Sequence, residues 1–193
     1  SQWWVISDQH YTDAGLKDPN ITSGIFNTSL YAEYGLTNKL TGVVYFPFFS
    51  RATINNVRSA TTQELITPGD AINSLGDTDI SLKYGIFSKN SLSVSLTGTL
   101  GVPLGIQGGI GNNLQTGDGE WNQMLQADAG ISFPIGKINA YANAYGAFNN
   151  RTNGFSDEVR YGVEAGAPFF NDKIYLIFRL YGITSLQNGT QTG

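Results

Sequence analysis

The chain of 193 residues carries 11 Lys and Arg against 15 Asp and Glu, a formal net charge of −4, with 13% of positions charged, about half the usual load. Hydrophobic residues make up 40% and mean hydropathy is −0.15, too polar for a bundle of membrane helices and too apolar and aromatic for a disordered chain. The absence of cysteine excludes a disulfide scaffold, a thiolate metal site and a cysteine nucleophile. An acidic balance without a run of Lys or Arg leaves no footprint for nucleic acid.

Gly 24, Tyr 10, Phe 11, Trp 3 and Met 1 favour sheets with many turns over helices. The longest apolar stretch, Val43 to Phe49, is of strand length and contains Pro47, so a transmembrane helix is excluded. No signal peptide is expected within these residues. The opening SQWWVIS reads as the middle of a strand, and Ser1 is therefore not expected to be the natural start.

Read with period two, the chain repeats one unit from end to end, an alternating segment of about nine to twelve residues closed by turn residues. The predicted strands are Trp3 to His10, Phe26 to Tyr34, Leu40 to Phe48, Asp79 to Ile86, Leu92 to Val102, Asn122 to Phe133, Ile138 to Phe148, Val159 to Ala167 and Ile174 to Ile183. Connections alternate in length. Tyr11 to Gly24, Phe49 to Gly76 and Pro103 to Trp121 are long, and Asn149 to Asp157 is intermediate; Gly35 to Lys39, Phe87 to Ser91, Pro134 to Lys137 and Phe169 to Lys173 are short. Strands able to cross a bilayer when tilted, with long loops at one end and tight turns at the other, predict an all-β, antiparallel up-and-down transmembrane β-barrel as a single domain over residues 1–193.

The two faces of these strands differ in composition. One carries Phe26, Leu30, Tyr34, Val44, Phe46, Phe48, Ile80, Leu82, Leu96, Leu100, Leu125, Ile131, Val163 and Leu176, filled out by Ala and Gly, and none of it is charged. The other carries Glu33, Asp79, Lys83, Asp128, Arg160, Glu164 and Arg179 among Ser, Thr, Asn, Gln and Tyr, so every charge inside a predicted strand lies on one face. A Lys or Arg facing lipid near the midplane costs about 2–4 kcal/mol, which explains the uncharged face of a membrane barrel. The alternative is a soluble barrel or sandwich whose apolar face is its core. Its weakness is the run of Ala127, Ala129, Ala140, Ala142, Ala144 and Gly146, which fills a core poorly, whereas lipid chains adapt to any contour. Aromatics near strand ends are expected to form two girdles: Tyr34, Tyr84, Phe87, Phe133, Phe169 and Phe170 by the short turns, and Phe26, Phe48, Trp121 and Phe148 toward the long loops.

Catalytic signals are weak. The single histidine, His10, has no nucleophile motif beside it, and the Gly101 to Gly111 cluster lacks the Lys-Ser/Thr and helix of a phosphate cradle, so it reads as a flexible loop. Asp70, Asp77 and Asp79, or Asp118 and Glu120, do not match calcium-loop spacing and read as loop solvation. No enzyme activity, metal or cofactor is expected. The polar face has a better case: Arg160 and Glu164 on one strand, and Asp79 and Lys83 on another, place both signs within about 14 Å. Such charges either pair and hold an interior shut or line a solute passage. Tyr31, Tyr45, Tyr141, Tyr145, Tyr175 and Tyr181 on the same face would offer amphipathic rings to a solute, or pack inside a narrow barrel.

The segments Tyr31 to Leu40, with the pattern Tyr-x-Glu-Tyr-Gly-Leu-Thr-Asn/Asp-x-Leu, and Gly76 to Tyr84, with Gly-Asp-x-x-Ile/Leu-x-Leu-Lys-Tyr, resemble the outer-membrane family named for the MetA pathway of phenol degradation, relatives of fatty-acid and toluene channels. The resemblance runs from Phe26 to Gly182, and the Asn-rich loops with few charges are similar in style to proteins of Bacteroidetes-type bacteria. It implies a barrel of about twelve strands that carries small, often hydrophobic or aromatic, compounds across the outer membrane. The chain departs from it in showing about nine strands, where single-chain barrels have an even number, and in lacking a terminal aromatic residue. Missing strands at the C-terminus, and part of the first, are the expectation. The expected surroundings are outer-membrane lipid, a small-molecule solute and other outer-membrane proteins, with a closed accessory subunit of a larger complex as the alternative function.

Overall fold

The computed structural model describes residues 1–8, 10–11, 15–18, 21–59, 61–136, 138–170 and 173–190. These are all-β, with one three-residue 3-10 turn at Ile110–Asn112 and no α-helix. Nine strands form an antiparallel up-and-down sheet: β1 (Gln2–Ser7), β2 (Ser23–Gly35), β3 (Leu40–Ile54), β4 (Thr78–Lys89), β5 (Leu92–Val102), β6 (Asn122–Ile135), β7 (Ile138–Arg151), β8 (Glu158–Phe169) and β9 (Ile174–Ser185). They follow one another in chain order, and a short strand, Asp70–Ser74, pairs with β3. Among the described residues β1 and β9 end this order and do not pair, so no closed barrel is found.

Eight of the predicted strands correspond to observed ones with the same or longer bounds, whereas the first, predicted from Trp3 to His10, is corrected: it ends at Ser7, and His10–Tyr11 pairs separately with Lys17–Asp18. Residues 36–39 and 90–91 make two of the short connections, and β6 to β7 and β8 to β9 follow one another as closely in the chain. Asn90 and Gly136 sit at φ 56° and 62°, the left-handed backbone that two-residue hairpin turns require and that Asn and Gly tolerate best. In the turn after β2, the Thr37 hydroxyl accepts the backbone N–H of Lys39 and Leu40 at 3.2 and 3.0 Å.

The described chain divides into two compact units. The first comprises Ser1–Ala32, Val44–Thr78 and Val102–Gly119. Here β1 pairs with β2 from Gln2↔Thr28 to Ser7↔Ser23, and β3 pairs with Asp70–Ser74 from Ser50↔Ser74 to Ile54↔Asp70. Several buried groups are polar, beside the apolar Ala52 and Leu114: Asn27 donates to the Ser50 hydroxyl at 3.0 Å, and Ser29 and Ser1 share a hydroxyl hydrogen bond of 2.7 Å. Large apolar side chains stand outside, Trp4 at 68% exposure.

Two expectations are corrected in this unit. The long connection after Phe48 is largely structured: β3 continues to Ile54, Val57–Arg58 pairs with Leu65–Thr67, and Asp70–Ser74 joins the sheet. Within the continued strand the alternation slips by one residue at Phe48 and Phe49, both exposed, and Phe49 meets Phe26 edge-on at 6.0 Å. The slip brings Arg51 beside Trp4 and Phe26 on a shallow cavity, so the rule that every strand charge lies on the polar face ends at Phe48. The glycine cluster is also ordered, as Gln107–Gly108 pairs with Leu114–Gln115 around the 3-10 turn and Leu114 is buried.

The second unit comprises Glu33–Val43, Asp79–Gly101 and Glu120–Gly193. Its continuous register from β5 to β9 sets five residues side by side in each row. Its apolar stripe is exposed: Leu82, Leu96, Leu125, Ile131, Val163, Phe178 and Leu180 all lie open, the last two at 66% and 63%. Polar residues are the most buried, with Glu120 and Asn149 at 1%.

Candidate functional site: the polar face of the second unit

Alternation puts Ser93, Gly130, Asn143, Glu164 and Arg179 in one row across β5 to β9. Ser95, Asp128, Tyr145, Gly162 and Tyr181 make the next, followed by Thr97, Gln126, Ala147, Arg160 and Ile183, then Thr99, Met124, Asn149, Glu158 and Ser185. The long-loop end is the most highly charged. Arg151 bonds the buried Glu120 and, at 2.7 Å, Glu158, whose other oxygen takes Arg160 at 2.7 Å. Asn149 donates to Asn122 Oδ1 at 2.8 Å beneath this chain of charges.

Farther along β8, Glu164 gathers a second cluster. It accepts the Tyr141 hydroxyl at 2.6 Å and pairs with Arg179, which stands directly opposite, while the Tyr181 hydroxyl lies 3.5 Å away. Tyr145 and Tyr181 flank Gly162 from both sides and meet edge-on at 5.8 Å. A Cβ at Gly162 would lie 2.6 Å from Tyr145 Cε1, and one at Gly166 would lie 2.6 Å from the Tyr141 ring. Glycine is required there because tyrosine rings lie flat over the strand, and a side chain would displace them.

Asp128 shares one carboxylate oxygen with Gln126 at 2.8 Å, and Ser81, between Asp79 and Lys83, bonds Thr99 at 2.8 Å. The structure thus joins Glu164, Arg179, Tyr141, Tyr145 and Tyr181 in one neighbourhood, but pairs Arg160 with Glu158 rather than with Glu164. Four residues apart on one strand is too far for direct contact. Glu33, Asp79, Tyr31 and Tyr175 are exposed and Tyr45 half-buried. Glu120, Arg151, Glu158 and Asn149 join the site from just beyond the predicted strand ends at Asn122, Phe148 and Val159. Of the aromatics at strand ends, Tyr34, Tyr84, Phe87, Phe133, Phe48, Trp121 and Phe148 are exposed, while Phe26 and Phe169 are half-buried. His10 pairs through its backbone with Asp18; its side chain, like Lys137, lies outside the described residues.

Two loop carboxylates have perturbed acidity. In the first unit Asp77 accepts the backbone N–H of Gly105 at 2.9 Å and of Asp118 at 2.8 Å. Burial nonetheless holds its carboxyl above the ordinary range, with the Asp118 carboxyl adding to the rise. In the second unit Asp157 accepts the Arg151 N–H at 2.9 Å and side-chain donors from Asn188 and Asn150, which hold it below that range. Among the described residues no group of His, Asp or Glu is arranged to hold a metal. No family model matches the chain, and no curated protein matches it.

Proposed function

We propose that this sheet is wall of a β-barrel in a bacterial outer membrane and that its polar face lines a passage for small solutes. The observation that carries the reading is inverted burial: Leu, Ile, Val and Phe stand exposed along the strands while Asn27, Ser29, Ser50, Ser81, Glu120 and Asn149 are buried. A soluble sheet protein buries its apolar face, whereas a membrane barrel turns that face to lipid and its polar face to water. The free edges of β1 and β9 need partner strands in lipid, where an unpaired backbone is not tolerated. The resemblance to the phenol-degradation outer-membrane family supports the same reading and adds hydrophobic or ring-bearing solutes, for which Tyr141, Tyr145, Tyr175 and Tyr181 offer faces.

The ion-paired chain Glu120, Arg151, Glu158 and Arg160 favours a second reading, a closed accessory subunit of a larger outer-membrane assembly. Single-channel recording in a planar bilayer separates the two. The passage predicts stable conductance whose ion selectivity changes in Arg160→Ala and Glu164→Ala. A folded protein that conducts nothing, with or without these substitutions, would overturn it in favour of the closed subunit.

A further inference from the structure

We propose that the polar face of the second unit holds a binding subsite, centred on Gly130, for a zwitterionic solute of amino-acid size; this rests on the passage reading above. A cavity of about 290 Å³ opens there, with Lys83, Ser93, Ser95, Asp128, Gly130 and Asn143 in its wall. Gly130 stands in the row between Ser93 and Asn143. A Cβ on it would lie 3.3 Å from Ser93 Oγ and 3.9 Å from Asn143 Oδ1, so a larger residue would project into the space that glycine leaves.

Along β8 the charges are satisfied by neighbours, Glu164 by Arg179 and Tyr141, and Glu158 by Arg151 and Arg160. Those around Gly130 are not. Lys83 has no ion pair among the described residues. Asp128 gives one oxygen to Gln126, while its buried Oδ2 and the buried Asn143 Oδ1 have no hydrogen-bond partner. A buried acceptor without a donor is costly, so the site favours a ligand that brings donors.

The wall therefore presents a cation on β4 and two open acceptors, one anionic, on β6 and β7. A solute with an ammonium for Asp128 and Asn143 and a carboxylate for Lys83 matches both signs, and the serine hydroxyls serve either group. The volume is at the small end of ligand cavities. A purely aromatic hydrocarbon would leave both acceptors open, and a neutral polyol would leave the charges unmatched.

The test is swelling of phosphatidylcholine vesicles containing the full-length protein in isosmotic L-alanine or erythritol. Alanine is expected to enter faster. Asp128→Asn and Lys83→Gln should each lower the ratio of the alanine rate to the erythritol rate about tenfold, the size of effect when a charged hydrogen-bond partner is lost. Equal alanine and erythritol rates in the wild type, or variants that leave the ratio unchanged, would overturn the subsite while leaving the passage intact. Entry of neither solute by a protein that conducts ions in a planar bilayer would overturn the subsite alone, and entry of neither without conductance would overturn the passage and the subsite with it.

Discussion

Leu125 and Asp128 stand three residues apart on β6 and live by opposite rules. Leu125, like Ile131 beyond it, projects into the open with more than two fifths of its surface free, while Asp128 is half-buried among Gln126 and the serines of β5. From β5 to β8 large apolar groups are exposed on one face of the second unit, while Gln126, Asp128, Asn149, Glu158, Arg160 and Glu164 are buried or half-buried on the other. In water this costs on both faces, since apolar area stays hydrated and polar groups lose solvent. A medium that is apolar outside and aqueous inside removes both costs. On the proposed reading, burial here follows the kind of solvent each face meets rather than residue polarity.

Substitutions that put a group under the wrong rule give the largest effects. Glu120→Ala removes a fully buried partner of Arg151; breaking such a pair costs about 3–5 kcal/mol, to be read as lowered urea resistance of the protein refolded in lipid. Leu96→Arg places charge in mid-strand on the apolar face, a cost of about 2–4 kcal/mol in a bilayer. Thr97→Arg puts the same charge on the polar face and should assemble far better; equal yields would break the assignment of faces. Gly162→Ala drives a methyl into the Tyr145 and Tyr181 rings, an overpacking of about 1–3 kcal/mol, detectable as a shifted unfolding midpoint.

The smallest expected effects compare the two loop carboxylates. Asp77 has a raised pKa in the fold, so its contribution is fully present below the ordinary value of 3.8 and is lost as pH rises through the raised one. Asp157 has a lowered pKa, so its contribution is present above 3.8 and lost as pH falls through the lowered one. Amide exchange, corrected for its intrinsic pH dependence, should slow at Gly105 and Asp118 as a neutral sample is made mildly acidic. Exchange at Arg151 should quicken only in stronger acid. The same trend at both loops would contradict this.

Period-two alternation is enough to place the nine strands, because each alternates independently of its neighbours; the ends are sharpest where Gly35, Asn55, Asn90, Pro103 and Gly136 stop the pattern. Leu92–Val102 agrees at both ends. Cross-strand pairing was less legible. Arg151 and Glu120 lie on either side of a whole hairpin, and which acid meets Arg179 depends on the β8–β9 register rather than on spacing within a strand. The slip at Phe48 and Phe49 was hidden because both residues are Phe, so the apolar pattern looks unbroken where the parity changes. The latch on Asp77 was also invisible, since it is made by backbone N–H groups that carry no residue signature.

The central claim, lipid on one face and water on the other, is tested most directly on β5. The chain has no native cysteine, so single cysteines from Leu92 to Val102 can each carry a spin label in reconstituted vesicles. Collision rates with oxygen, which partitions into lipid, and with a water-soluble nickel complex then report the surroundings of each position. The account predicts oxygen maxima at 94, 96 and 100 and nickel maxima at 93, 95, 97 and 99. Nickel access at every position, or an alternation of opposite phase, would contradict it.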